Sequence, residues 1–314
     1  MDENKKFYFK MSLILVVAFF IFILGNKKDA APETAVKKLP TENKPAALVN
    51  FLPIIPTIFE DSENILPKRD WTAPFLELEA QTALAIKTDG SRVYYNKNIE
   101  AQRPIASLTK LMTAIVVLEN YDLNQIVKIP LNAVKRESSA GNLRPSETMA
   151  VRSLLSVMLI DSSNDAAFAL AEQRQDFISL MNKKAKELGL NNTHFSNPDG
   201  LDEPGNYSSA LDIAKIFSYL INEHPEAFEI LKTKNMVVYS SNGKIEHRLI
   251  NTNELLDKAD GVVAGKTGYT DKAGGSLALL VKGGIITVVL GSPDRFGESE
   301  KLIQWLKKAY IWEK

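Results

Sequence analysis

Ser107-Leu108-Thr109-Lys110 opens the run SLTKLMTAIVVLE, residues 107–119. Apolar residues recur in it at helical spacing and strong helix formers fill it, so it predicts a helix starting near Ser107. Residues three apart on a helix share a face, which sets the Lys110 amine beside the Ser107 hydroxyl. A lysine can take a serine's proton when burial or a second cation makes its own charge costly. The N–H groups and dipole at a helix start also suit a developing oxyanion. Alone the pattern is weak. Ser241-Asn242-Gly243-Lys244 repeats it in a predicted turn, and most serines at a helix start are simply caps.

Two further patterns follow in order. Ser162-Ser163-Asn164 falls between two apolar helical runs, Val151 to Ile160 and Asn164 to Glu172. Ser62-Glu63-Asn64 and Ser240-Ser241-Asn242 also read Ser-x-Asn, and a helix cap supplied by Asp161 or Ser162 is the plain alternative. Lys266-Thr267-Gly268 follows a β-rich stretch, Gly261 to Ala264, and a basic residue beside a β-former at a sheet edge is its plain alternative. What distinguishes the three from their decoys is context: the first begins an apolar helix, the second joins two helices, and the third belongs to a C-terminal meander.

Thr82 to Lys87 and Arg92 to Asn96 read as strands joined at Asp89-Gly90, a hairpin signal. Helical patterns fill the middle, continuing through Asp176 to Leu188, Leu211 to Asn222 and Glu226 to Lys232. Met236 to Tyr239, Ser276 to Lys282 and Ile285 to Leu290 are β-rich, the last two turning at Gly283-Gly284, and Glu298 to Tyr310 closes as a helix. The expected fold is α+β: opening and closing strands join in one antiparallel sheet, with helices packed on it.

The chain has 314 residues, 45% hydrophobic and 24% charged, which suits a globular protein. Lys plus Arg equals Asp plus Glu at 38 each, so no basic excess points to nucleic acid. Cysteine is absent, which excludes disulfides and thiolate catalysis. His194, His224 and His247 have no metal-ligand spacing, and no Gly-x-Ser-x-Gly elbow supports a histidine triad. No metal and no cofactor is expected. Residues 1–6 read as a cytoplasmic tail and 7–25 as a transmembrane anchor or signal segment, uncharged from Met11 to Gly25. Residues 26–74, rich in Pro, Ala, Lys and Glu, read as a linker, and 75–314 as the catalytic domain.

The ordered triple resembles the signature of penicillin-binding proteins and serine β-lactamases. Around it, Ile105 to Ala114, Met158 to Ala166 (MLIDSSNDA), Gly189 to Gly200 (GLNNTHFSNPDG), Tyr207 to Ala210 and Gly265 to Gly274 (GKTGYTDKAG) resemble the D-alanyl-D-alanine carboxypeptidase family, the low-molecular-mass penicillin-binding proteins. The resemblance covers about residues 75 to 312. It implies the DD-peptidase/β-lactamase-like fold, with a helical subdomain that carries the nucleophile helix. It implies that Ser107 is the nucleophile, Lys110 the base and Ser162 a proton relay to the leaving group. Asn164, Lys266, Thr267, Gly268 and Tyr269 would bind substrate, the N–H groups of Ser107 and Tyr269 forming the oxyanion hole. Arg295 would read a free terminal carboxylate, for which a planar guanidinium is suited. Two positions depart from some relatives: Tyr269 stands where a histidine is found, and Leu211 where an arginine is found.

The implied function is a serine-type D-Ala-D-Ala carboxypeptidase that trims peptidoglycan stem peptides through an acyl-enzyme. β-Lactams would be its covalent inhibitors, and it would work on the outer face of the cytoplasmic membrane, or secreted if residues 1–25 are removed. A D,D-endopeptidase acting on cross-links and a non-catalytic β-lactam or muropeptide sensor use the same motifs. A β-lactamase would need a placed carboxylate, for which Glu147 and Glu172 are the candidates.

Overall fold

The opening and closing strands meet in one antiparallel sheet, as their hydrophobic pattern predicts. The computed structural model describes residues 67–137 and 140–311. The strands in chain order are β1 (Lys68–Arg69), β2 (Thr82–Lys87), β3 (Val93–Lys97), β4 (Ile126–Lys128), β5 (Thr148–Ala150), β6 (Asn235–Tyr239), β7 (Glu246–Ile250), β8 (Val262–Thr270), β9 (Gly274–Val281), β10 (Ile285–Ser292) and β11 (Tyr310–Ile311). The α-helices are α1 (Thr109–Asn120), α2 (Val151–Ile160), α3 (Asn164–Ala171), α4 (Phe177–Glu187), α5 (Ala210–Glu223), α6 (Pro225–Lys232) and α7 (Arg295–Ala309). Among the described residues the main sheet has five strands in the order β3-β2-β10-β9-β8. The β9–β10 hairpin turns at Gly283-Gly284, where both residues take the positive φ that this turn demands (85° and 67°).

Alternation along the strands splits the side chains between two cores. Leu84, Ile86, Leu280, Ile286 and Val288 face a large core shared with α1, α2 and α5. Ala83, Ala85, Leu277, Leu279 and Val289 face a smaller core closed by Leu302, Ile303 and Leu306 of α7. Both faces of the sheet are covered, so β10 is buried at every position. The helices between β3 and β8 form a unit on one face, and β8, the edge strand, runs beside it.

Several boundaries differ from expectation. Lys68–Arg69, within the stretch expected as linker, pairs with Tyr310–Ile311. The last helix starts at Arg295 rather than Glu298, capped by Asp294, whose Oδ1 accepts the Gly297 N–H at 2.9 Å. Lys266-Thr267-Gly268 lies on a strand of the meander, as expected, but that strand, β8, continues past Ala264 to Thr270. The β4–β5 ladder and strand β7, partner of β6, were not legible as strands in the sequence. Residues 1–66, which hold the expected tail, the anchor and most of the linker, lie outside the described residues; among those described, no helix is long and apolar enough to cross a membrane.

Glu298, in the first turn of α7, ties the two ends of the domain together. Its buried carboxylate accepts the N–H groups of Glu79 and Ala80 and the Ser292 hydroxyl. Removing it strands three donors where water cannot replace it. Glu298→Ala is expected to lower unfolding stability by about 2–4 kcal/mol in urea titration. Glu300→Ala, on the same helix with only a solvent-side contact to Gln304, should change it by less than about 0.5 kcal/mol.

Candidate active site

The segment around Ser107 is a single 3₁₀ turn, Ala106–Leu108, leading into α1. Neither helix start is capped by a side chain, so Ser107 is not the N-cap that its position suggested. Its Oγ instead lies 2.8 Å from Lys110 Nζ. Ala106 sits at φ 49°, a left-handed conformation that costs an alanine energy. Two glycines hold it there. A Cβ on Gly200 would come 1.9 Å from the Ala106 carbonyl oxygen, and one on Gly268 would come 3.0 Å from Ser107 N. No larger residue at either position lets the Gly200 loop and strand β8 close on this turn.

Lys110 is fully buried. Besides Ser107 Oγ, its Nζ meets Asn164 Oδ1 at 2.6 Å and the Asp199 carbonyl oxygen at 2.7 Å. Both are acceptors only. Asn164 is oriented by its own Nδ2, which donates to the Glu137 carbonyl at 2.7 Å. A neutral amine has two N–H donors and one lone pair. With both donors engaged by these carbonyl oxygens, the lone pair is left facing the Ser107 hydroxyl. Burial pushes the Lys110 amine down to about 7; the nearby Asp199 carboxylate opposes this shift and the Arg136 guanidinium adds to it.

Across the cleft, Lys266 is also buried, and its Nζ donates to Ser162 Oγ at 2.6 Å and to the Thr267 carbonyl at 3.1 Å. Burial holds this amine well below its ordinary value, with Lys110 and Arg295 adding repulsion and Asp161 opposing it. Ser162 takes φ 61° and points into the cleft. The cap of α3 is therefore neither Asp161 nor Ser162 but Ser163, whose Oγ accepts the Ala166 N–H at 3.2 Å. Asp161 Oδ1 accepts the Ile250 N–H at 3.3 Å, and burial raises its carboxyl above the usual range.

Ser107, Ser162, Asn164, Thr267, Gly268, Tyr269 and Arg295 all line one cleft of about 720 Å³. Every residue singled out by the sequence patterns thus comes to this cleft or, as with Lys110 and Lys266, hydrogen-bonds a residue that lines it. Tyr269 is exposed at its mouth. Arg295, at the start of α7, stacks on Phe296 at 4.6 Å and forms no ion pair among the described residues, and its buried Nε has no hydrogen-bond partner. The decoy Ser241 to Lys244 forms the β6–β7 turn and takes no part in the cleft.

Among the lining residues that the sequence does not mark as site residues are Arg136, Asp161, Asp199 and Thr252. Arg136 and Asp199 are paired, and Thr252 Oγ1 lies 2.6 Å from Thr267 Oγ1. Asp161 was read only as a cap, and Asp199 lies in a quoted segment without a stated role; no spacing rule marks the other two. The histidines are engaged elsewhere, His194 with the Gly205 carbonyl, His224 beside Glu119 and His247 with Glu147. Glu147 and Glu172, the candidate deacylating carboxylates, do not line the cleft; Glu172 bonds Asn132. Among the described residues no cluster of His, Asp or Glu is arranged to hold a metal ion.

Known proteins are similar to this chain in sequence and fold. D-alanyl-D-alanine carboxypeptidase DacF of Bacillus subtilis is 37% identical over 255 residues, 74% of this chain and 63% of its own length. D-alanyl-D-alanine carboxypeptidase DacA of Escherichia coli is 34% identical over 251 residues, 73% of this chain and 61% of its own. This chain thus spans about three fifths of the length of these relatives. Among solved structures, a D-alanyl-D-alanine carboxypeptidase from Mycobacterium tuberculosis superposes with a TM-score of 0.69 at 28% identity, over 76% of this chain and 94% of that one. A Streptomyces DD-transpeptidase does so with a TM-score of 0.68 at 28% identity, over 74% of this chain and 98% of that one. The sequence profile of the D-alanyl-D-alanine carboxypeptidase family matches residues 68–294, from β1 to the cap of α7, which takes in the sheet, the helical unit and all three motifs. With that span matched, the chain belongs to the D-alanyl-D-alanine carboxypeptidase family.

Proposed function

We propose that this protein is a serine-type D-Ala-D-Ala carboxypeptidase that removes the terminal D-alanine of peptidoglycan stem peptides. The observation that carries the reading is the Lys110 amine, buried, with two carbonyl oxygens on its N–H groups and Ser107 Oγ at 2.8 Å. A neutral amine so held accepts the serine's proton as Oγ attacks the carbonyl carbon between the two D-alanines. The oxyanion is stabilised by the N–H groups of Ser107 and Tyr269. Collapse of the tetrahedral intermediate expels D-alanine, whose nitrogen takes a proton relayed from Lys110 through Ser162, whose Oγ is held in place by Lys266 Nζ at 2.6 Å. Asn164 holds the substrate amide, and Thr267 and Arg295 bind the terminal carboxylate. The unpartnered Arg295 Nε supports that role, since a buried donor without an acceptor is matched by an incoming anion. Water then attacks the ester, regenerating Ser107.

β-Lactams, whose strained amide stands in for the D-Ala-D-Ala bond, acylate the same hydroxyl in this reading. The enzyme works outside the cytoplasm, where its substrate lies, and residues 7–25 anchor it to the membrane.

Intact mass after penicillin treatment should show one covalent adduct on the wild type and none on Ser107→Ala; an adduct on the variant overturns the assignment of the nucleophile. The base is active when neutral, and its amine is lowered to about 7. The sign is therefore fixed: acylation should rise with pH through about 7 and fall about tenfold per unit on the acid side. A rate that is flat between pH 5.5 and 8.5 excludes Lys110 as the titrating base. Arg295→Ala should cut kcat/KM for a D-Ala-D-Ala peptide by about 10–100-fold. The same peptide with an amidated C-terminus should be hydrolysed equally by both forms; an equal loss on both peptides removes Arg295 from carboxylate recognition.

A further inference from the structure

Asp199 presents two faces to the cleft. Its carbonyl oxygen accepts from Lys110 Nζ, so the residue is locked against the base. Its carboxylate is fully buried. Left alone, such a carboxylate would draw a proton onto the nearest amine and make an ion pair with it. Lys110 would then be an ammonium, with no lone pair for Ser107.

Arg136 prevents that pairing. Its Nε and a terminal guanidinium nitrogen both reach Asp199 Oδ2, at 2.8 and 2.6 Å. Asp199 Oδ1 is taken by the Leu201 N–H at 3.2 Å. A guanidinium never loses its charge in a protein, so it is a permanent counterion where a lysine could itself turn neutral. Its place is fixed by the ring of Phe168 on α3, 4.9 Å below the guanidinium. The next residue, Glu137, supplies the carbonyl that orients Asn164. The same short segment thus acts on Lys110 twice, through charge and through its amide neighbour.

We propose that Arg136 is a positioning residue that keeps Lys110 in its proton-accepting form by cancelling the charge of Asp199. This rests on Lys110 being the base of the carboxypeptidase reaction. The charged groups that act on Lys110 are Asp199, Arg136 and, across the cleft, Lys266; Asp161 and Arg295 act on Lys266 in turn. Of these, Asp199 lies against the base with a carboxylate that opposes its neutral form, and Arg136 is the group bonded to that carboxylate.

The test is the pH dependence of penicillin acylation, followed by intact mass on the full-length chain. Arg136→Gln should move the midpoint up by about one unit or more, with acylation about tenfold slower at pH 6.5 and close to wild type at pH 9. Arg136→Lys, which keeps the charge, should restore most of the midpoint. The double variant Arg136→Gln, Asp199→Asn removes both charges and should return it to the wild-type value. A wild-type midpoint in Arg136→Gln, or a double variant that keeps the raised midpoint, overturns the proposal; so does a loss of rate that is equal at every pH, the mark of a purely structural role. A wild type that acylates at no pH overturns the carboxypeptidase reading, and the proposal with it.

Discussion

The burial of one amine organises the helical half of this protein. An ammonium cut off from water is costly, so Lys110 needs either acceptors for a charge or an environment that lets the charge go. The fold supplies the second. Asn164 comes from the start of α3, the Asp199 carbonyl from the loop after α4, and Ser107 from the turn that opens α1. Glu137, from a fourth segment, sets the direction of the Asn164 amide. None of these segments could move by an ångström without leaving a polar atom buried and unpaired, so the packing of the helices and the state of the Lys110 amine are one problem with one solution.

The site also holds backbone strain. Ala106 and Ser162 both take positive φ, at a cost of about 1–3 kcal/mol each. Each is held by contacts around it: Ala106 by the approach of Gly200 and Gly268, Ser162 by the hydrogen bond to Lys266. The strain accompanies an arrangement in which the Ser107 hydroxyl meets Lys110 three residues on and the Ser162 hydroxyl meets Lys266, both lysines being buried.

This explains what was legible in the sequence. The central sheet was, because β2, β9 and β10 each carry a short apolar run and are bounded by Asp-Gly and Gly-Gly turns. Ser107 and Lys110 were, because three residues on a helix is a local distance. The three-residue strands β4 and β5 are too short to carry a period, and β7 alternates with His247 and Glu246 in a stretch that reads as polar. The cap of α3 was misassigned because it depends on the φ of Ser162, which spacing does not encode. Arg136 and Asp199 were invisible as a pair: they are far apart in the chain, and neither belongs to a periodic pattern. Local chemistry was readable, whereas the electrostatic setting of that chemistry comes from tertiary contacts.

The topology has a further consequence for how the chain comes to be folded. Strand β2 sits in the middle of the sheet with β10 as its partner, Lys87 opposite Ile285 and Thr82 opposite Leu290. That pairing joins segments about 200 residues apart and cannot form until the chain through Ser292 is available, and non-local pairings of this kind make folding slow. The helical unit, whose contacts are mostly within itself, can collapse earlier, but the strand that carries Lys266 arrives with the last part of the chain. Until then the β2–β3 hairpin has an open edge where β10 belongs, a template for wrong partners. Assembly of the cleft is therefore coupled to the arrival of β8, β9 and β10: no form of this chain that lacks these strands can bring both lysines to its two serines.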